Sequence, residues 1–560
     1  MRSSLIFLIT MAVAAWQAQA ASRPVADSSV VLEVSSGGVS LGSYQGGYLY
    51  ARTLALKDSS MYRILTGASA GAINTLGGLF YSFHQPNRKW GPYKAWLQLD
   101  WNTLMRKHPE EGSLFDTNAI AAELNPILDS ILTPPDNPDS IPKAIWIGFA
   151  TTRFLPRTLN SKTLTSEKMD EKIVLGFQWL KKGHMACAEP AQGCWRVWTE
   201  VNPKLAQKRP QLFLDFGPNG TDRGLIRGHL KDLALASSAF PVAFQRHPVR
   251  LHLLASGINI DRYQKIGKVW EDMEAHPVRY TRKREQMDST TLLLLPTGDK
   301  AYGKWIKTQY PTFSDGGLFE NEPLNLAKHV HEDLQERYKG MKTVAALRFV
   351  LPLNYDSMFM DYDEDRIRRS AASEWLIFTR SRHSAAVERM EVTRFLEETG
   401  NEDSVFALST TSLPLASEHF GHFSGFFARE FREFDFALGM HDAFKAALPG
   451  PEESRRERAL AMVAPLDSTL HRQLAYLWDK VDTLYAANDW TKAVFKDSTQ
   501  KRFQALIQAV KNLRMKVSKE VPESQDLKLI SRVLQGSLSR LQGTLESLKN
   551  SGDEGSGDQF

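Results

Sequence analysis

Short apolar runs alternate with helical periodicity over the first two thirds of the chain. VVLEVSS (30–36) is almost unbroken in its apolar character and predicts a buried strand, with a helix following over 42–56. YRILTGAS (62–69) predicts a strand that runs into a turn, and 70–83 predicts a second helix. Further strand-like runs occur at 144–152, 211–216, 251–258, 291–296 and 347–353. Strands of this kind, apolar on both faces and separated by helices, predict a mainly parallel sheet covered on both sides.

The pattern changes after about residue 360, where strand-like runs give out. Helical patterning covers 365–391, 414–447 and most of 452–549. Leu527, Ile530, Leu534, Leu538, Leu541, Leu545 and Leu548 recur at spacings of three and four, one apolar stripe on a helix. The stripe suits packing against the rest of the protein. A partner helix or a membrane surface is the alternative. The polar, Gly-rich residues 550–560 read as a disordered tail.

Residues 1–20 carry the marks of an export signal. Arg2 precedes an apolar run from Leu5 to Trp16, and Ala18-Gln19-Ala20 has the small-x-small form that signal peptidase cleaves. The run is short for a helix that must cross about 30 Å of hydrocarbon, so a membrane anchor is the weaker reading. Export would place the protein in a periplasm, in the outer envelope or outside the cell. In such an oxidising setting Cys187 and Cys194, flanking the turn-forming segment CAEPAQGC, are placed for a disulfide, with two free thiols as the alternative.

Composition narrows the classes. The 560 residues are 42% apolar and 24% charged, globular values, and the length allows two to four domains at about 100–200 residues each. A net charge of +5 from 69 basic and 64 acidic residues gives no concentrated basic face for nucleic acid, and permits only weak peripheral attraction to an anionic membrane. Two cysteines exclude a disulfide framework and a four-cysteine zinc site. The acidic run DYDED (361–365) lacks the glycine and distal glutamate of a calcium loop, so no metal is implied. The aromatic-rich stretch 419–436 suits a helix core, or docking on lipid.

Three segments carry chemistry. GASAG (67–71) sets Ser69 between Gly67 and Gly71, where a strand turns sharply into a helix, the nucleophile-elbow pattern. A side chain at either glycine would meet neighbouring backbone, and the helix N-terminus aims free amides at the site. Upstream, SSGGVSLGSYQGG (35–47) also joins a strand to a helix. No Gly-Lys-Ser/Thr follows it, which excludes a P-loop, and the dinucleotide fingerprint fails at Val39. An oxyanion hole built from backbone amides is the favoured reading. A serine nucleophile needs a base. His329 and His331 lie on a predicted helix and read as surface residues, whereas Asp315 in TFSDGGLFENEP follows an extended segment and precedes Gly316 and Gly317. Taken alone, that sequence is as consistent with an ordinary turn.

Together, in this order, the three segments resemble the patatin-like phospholipase family. GSYQGGYL (42–49, beginning at Gly42), GASAGAIN (67–74), ASSAFPVAF (236–244) and DGGLFENEP (315–323) add to the resemblance, which spans about residues 29–330. FREFDFALGMHDAF (431–444) is similar to a block found downstream in some bacterial members.

The resemblance implies a three-layer α/β/α domain with a mainly parallel sheet over 29–355, followed by a mostly α-helical region over 360–549. It further implies a Ser69–Asp315 dyad, an oxyanion hole from Gly37, Gly38 and Val39, and no cofactor. The expected substrate is a phospholipid or another acyl-ester lipid, with phospholipase A or lysophospholipase chemistry. A neutral-lipid esterase, an acyltransferase or a non-catalytic scaffold that binds lipid or a partner are the alternatives. Nothing in the sequence names a protein partner. Two positions depart from the family: Val39 stands where a third glycine is usual, and Leu41 where a basic residue is usual.

Overall fold

The computed structural model describes residues 30–55, 62–84, 95–99, 101–106, 113–139, 141–160, 165–184, 191–200, 211–240, 243–254, 291–293, 306–318, 323–337, 346–350, 405–408, 424–426 and 429–487, with isolated positions between and beyond them. The export signal, the acidic run 361–365, the predicted helix 365–391 and the leucine stripe lie outside the described residues, as do Phe423 and Phe427 of the aromatic stretch.

The chain opens with strand β1 (Val30–Ser35), helix α1 (Gly42–Ala55), strand β2 (Tyr62–Gly67) and helix α2 (Ala70–Tyr81). Helix α3 (Thr117–Ile131) precedes a long hairpin of β3 (Ala144–Asn160) and β4 (Thr165–Leu180), to which β5 (Cys194–Thr199) adds. Then come β6 (Gln211–Phe213), helix α4 (Arg223–Ser237), β7 (His247–Pro248), β8 (Leu251–Leu254), β9 (Thr291–Leu293), β10 (Ile306–Gln309) and β11 (Thr312–Ser314). Helix α5 (Leu324–Arg337), β12 (Ala346–Val350), β13 (Val405–Leu408) and helices α6 (Arg429–Ala447), α7 (Glu452–Val463) and α8 (Ser468–Ala487) complete the described elements.

Among these residues a nine-stranded sheet runs in the order β13-β12-β1-β2-β3-β11-β7, with β4 and β5 extending from β3. The strands from β13 to β3 are parallel; those added to β3 are antiparallel. Strands β6, β8, β10 and β9 form a separate antiparallel sheet. Strands β1, β2 and the first half of β3 bury both faces, because successive side chains point to opposite sides and both sides are apolar. Val30, Leu32, Val34, Ile64 and Trp146 face a core under α5 that includes Leu324, Ala327, Val330 and Leu334. Leu65, Ile145, Ile147 and Phe149 face the larger core, built with α2, α3, α4 and α6. The three-layer α/β/α architecture follows from this division.

One feature differs from the sequence reading. Strand β13 lies beyond residue 360, between the predicted helices 365–391 and 414–447 where no strand is predicted, and pairs in parallel with β12. Helix α6 falls within the predicted helical stretch 414–447. It lies along α1, whose residues from Gly42 to Ala51 are all buried. The two backbones touch at small residues: a Cβ on Gly47 would stand 2.0 Å from the Phe436 carbonyl oxygen, and one on Gly439 would stand 2.1 Å from that of Tyr44. Tyr44 also donates its hydroxyl to Asp442 at 2.9 Å. Cys187 and Cys194 are joined in a disulfide at the start of β5.

Candidate active site

Ser69 sits at the tip of the turn between β2 and α2, with φ 52° and ψ −124°. Such left-handed strain in a non-glycine residue persists only where the surroundings impose it. Here they do. A Cβ on Gly71 would lie 2.1 Å from the Ser35 carbonyl oxygen, and one on Gly67 would lie 2.4 Å from that of Gly71. The 12-residue helix α2 begins at once after Ser69.

Asp315 follows the short strand β11, which pairs with β3, so the sheet itself carries the carboxylate to the serine. The Ser69 hydroxyl donates to Asp315 Oδ2 at 2.5 Å. The other carboxylate oxygen accepts from the Gly317 amide at 2.7 Å. The Asp315 carbonyl accepts from Thr152 Oγ1 at 2.8 Å, and its amide donates to the Ala239 carbonyl at 3.0 Å. Gly316 lies flat against β3: a Cβ there would stand 2.1 Å from the Ala150 carbonyl oxygen. Burial raises the Asp315 carboxyl to about 7, against the opposing pull of the hydrogen bonds from Ser69 and Gly317.

Polar residues that the sequence reading did not single out hold this geometry. Ser237 Oγ accepts the Ser69 amide at 3.1 Å and donates to the Ala150 carbonyl at 2.6 Å. Ser238 Oγ donates to the Ser69 carbonyl at 2.9 Å. Both belong to ASSAFPVAF, the one available signal for them. Behind the glycine segment, Gln45 donates to Ser36, Asn74 donates to Gln45 and to the Gly42 carbonyl, and the Trp96 indole donates to Asn74, a buried chain of amides.

The glycine segment divides its amides. The Gly37 amide donates to the Asn321 carbonyl at 2.9 Å, so the three-amide oxyanion hole expected from Gly37, Gly38 and Val39 loses its first member to a structural bond. Gly38 has φ 176°, ordinary extended backbone, while Val39 holds φ 52°, the conformation that a glycine would adopt without strain. Gly42 opens α1 with the Trp96 ring against it.

A family model for patatin-like phospholipase matches residues 34–328, more than half of the chain. The chain belongs to the patatin-like phospholipase family. That family comprises lipid acyl hydrolases. No curated protein sequence matches the chain.

In this patatin-like chain Ser69 opens onto a cavity with about 520 Å³ of empty space, part of it continuous with solvent. Its walls include Val39, Ile73, Trp96, Leu99, Ile120, Leu124, Phe240, Phe244 and Phe426. Such a lining solvates hydrocarbon well and water poorly. Glu123 is the ionisable member of the described lining, and burial raises its carboxyl.

Leu41, where the family usually has a basic residue, is buried with Tyr44, Leu415, Ala437, Leu438 and Leu477. The C-terminal helices cover that position, and a cation there would be buried among apolar side chains. His331 is buried on α5 rather than at the surface, while His329 is exposed beside Glu332. Neither lines the cavity.

Proposed function

We propose that the protein is a serine lipid acyl hydrolase in which Ser69 is the nucleophile and Asp315 its general base. The observation that carries the proposal is the 2.5 Å hydrogen bond to a buried carboxylate from Ser69, which itself lines an apolar cavity. A carboxyl raised to about 7 is a far better base at neutral pH than an ordinary aspartate near about 4.

In the first half-reaction the Ser69 proton passes to Asp315 Oδ2 as Oγ attacks the acyl carbonyl. Negative charge moves to the carbonyl oxygen, where the amides of Gly38 and Val39 and the positive end of α2 stabilise it. Collapse breaks the ester bond, and Asp315 gives its proton to the departing alcohol. In the second half-reaction Asp315 takes a proton from water, whose oxygen attacks the acyl-serine. The fatty acid leaves, and Ser69 recovers its proton.

An acyl chain in the cavity and a polar group at its open side correspond to a phospholipid or lysophospholipid, which fits phospholipase A or lysophospholipase chemistry. The signal-like residues 1–20 support export, and peripheral contact with a membrane would bring the substrate to the site. Labelling with a fluorophosphonate followed by peptide mapping tests the nucleophile. The adduct is expected on Ser69 and absent from Ser69→Ala. A folded protein that does not react would point to a non-catalytic scaffold.

A further inference from the structure

The cavity is not built by the family domain alone. Phe426 lines it and is 3% exposed, yet lies beyond residue 328, where the family match ends. Its ring centroid stands 5.7 Å from Phe115 and 6.2 Å from Phe244, so it completes an aromatic wall whose other members come from the family domain.

The segment that carries Phe426 is fastened on both sides. The Gly425 amide donates to Ser40 Oγ at 3.2 Å, one residue past Val39. The Gly425 carbonyl accepts from the guanidinium of Arg432, on the first turn of α6. Arg432 is 1% exposed. Its Nε donates to the Trp96 carbonyl at 2.6 Å, and its remaining terminal nitrogen donates to the Leu99 carbonyl. Trp96 and Leu99 both line the cavity. One planar cation thus ties together three carbonyls from two neighbouring segments that both line the acyl site. Only arginine offers a rigid fork of five donors; a lysine ammonium is a single point that cannot span them.

We propose that Phe426, held in place by Arg432, sets the length of acyl chain that the cavity accepts, so that chain-length specificity resides in the C-terminal region. This inference rests on the acyl hydrolase reading. Phe426 is the specificity-determining contact, and Arg432 is a positioning residue that acts through the walls it ties together.

The test compares p-nitrophenyl butyrate and palmitate as substrates of the full chain. Phe426→Trp should lower the palmitate-to-butyrate ratio of kcat/KM by about tenfold or more, since a mismatch of a methylene or two in an apolar pocket has effects of about 10–200-fold. Phe426→Ala should move the ratio the other way. Arg432→Lys should shift the ratio as well, because the wall it ties loosens, while fluorophosphonate labelling of Ser69 persists. If Arg432→Lys does not fold, the two Phe426 variants decide the matter alone. An active wild type whose ratio is unaltered in both folded Phe426 variants, or moves the same way in both, overturns this inference and leaves the hydrolase reading intact. A wild type that neither labels nor releases p-nitrophenol overturns both.

Discussion

The chemistry of single residues turns on the environment of Asp315. Its carboxyl is buried and sits at about 7, so the ionised base that the mechanism needs becomes the main form only near neutrality. The expected kcat/KM therefore rises with pH through about 7 and levels above it, as a pH profile on a soluble ester would record. The same shift has a stability consequence. A carboxyl whose folded pKa lies above its unfolded value binds more protons in the folded state. Its contribution is most favourable below about pH 4 and is lost as pH rises through about 7. Asp315→Asn, which removes the charge, should raise the melting temperature relative to wild type at pH 8, with the gap closing as pH falls to 4. Val39 adds a second test. Relief of left-handed strain, typically about 1–3 kcal/mol, is offset by the about 0.4–1 kcal/mol of extra chain entropy that a glycine brings and by loss of the half-buried valine side chain, about 1 kcal/mol. Val39→Gly should thus leave stability within about 1 kcal/mol of wild type in denaturant titration, whereas a valine-to-glycine change at a buried, unstrained position is destabilising. At this scale the site is partly legible in the sequence. GASAG announces Ser69 because a tight turn needs its glycines locally. Ser237, Ser238 and Asn321 fall inside segments that resemble the family but carry no role there, and Thr152 is silent, because an ordinary serine, threonine or asparagine acquires a role only when the fold brings it from far along the chain.

Among elements, the crossing of α1 and α6 is the contact that decides how the C-terminal region relates to the site. It depends on two glycines in helix interiors, where glycine by itself weakens a helix by about 1 kcal/mol. Gly439→Ala should therefore destabilise the protein by about 1–3 kcal/mol, since the added methyl group meets rigid α1 backbone, the Tyr44 carbonyl and the Tyr48 amide nitrogen. Gly228→Ala, in α4, is the control: open space surrounds that position, and the substitution should stabilise by about 0.5–1 kcal/mol. Denaturant midpoints of the two variants should move in opposite directions. Apolar runs make the parallel strands legible, because a strand buried on both faces needs such a run. Strand β5 is not legible, since it buries only alternate residues and keeps Arg196 between Trp195 and Val197. Strand β13 is not, since four residues between two predicted helices carry too little period to stand out. Arg432 is not singled out by the sequence, because its burial follows from backbone carbonyls supplied by distant segments.

At the scale of the whole molecule, the family domain leans on the C-terminal region. Strand β12 pairs with β1, β13 pairs with β12, and α6 covers α1. A fragment ending at residue 328 would leave β1 as an open edge and the buried face of α1 in water, so it should fail to unfold cooperatively and should aggregate. A soluble monomeric fragment with a sharp thermal transition would contradict this. The dependence also explains why the sequence boundary near 355–360 marks a change of composition more than a break between independent units. The central claim, a Ser69–Asp315 dyad acting on lipid acyl esters, is tested most directly by fatty-acid release from mixed phospholipid vesicles, with wild type, Ser69→Ala and Asp315→Asn measured side by side. The account predicts release by the wild type and its loss in both folded variants. Equal release by all three, or none by a folded wild type, would contradict it.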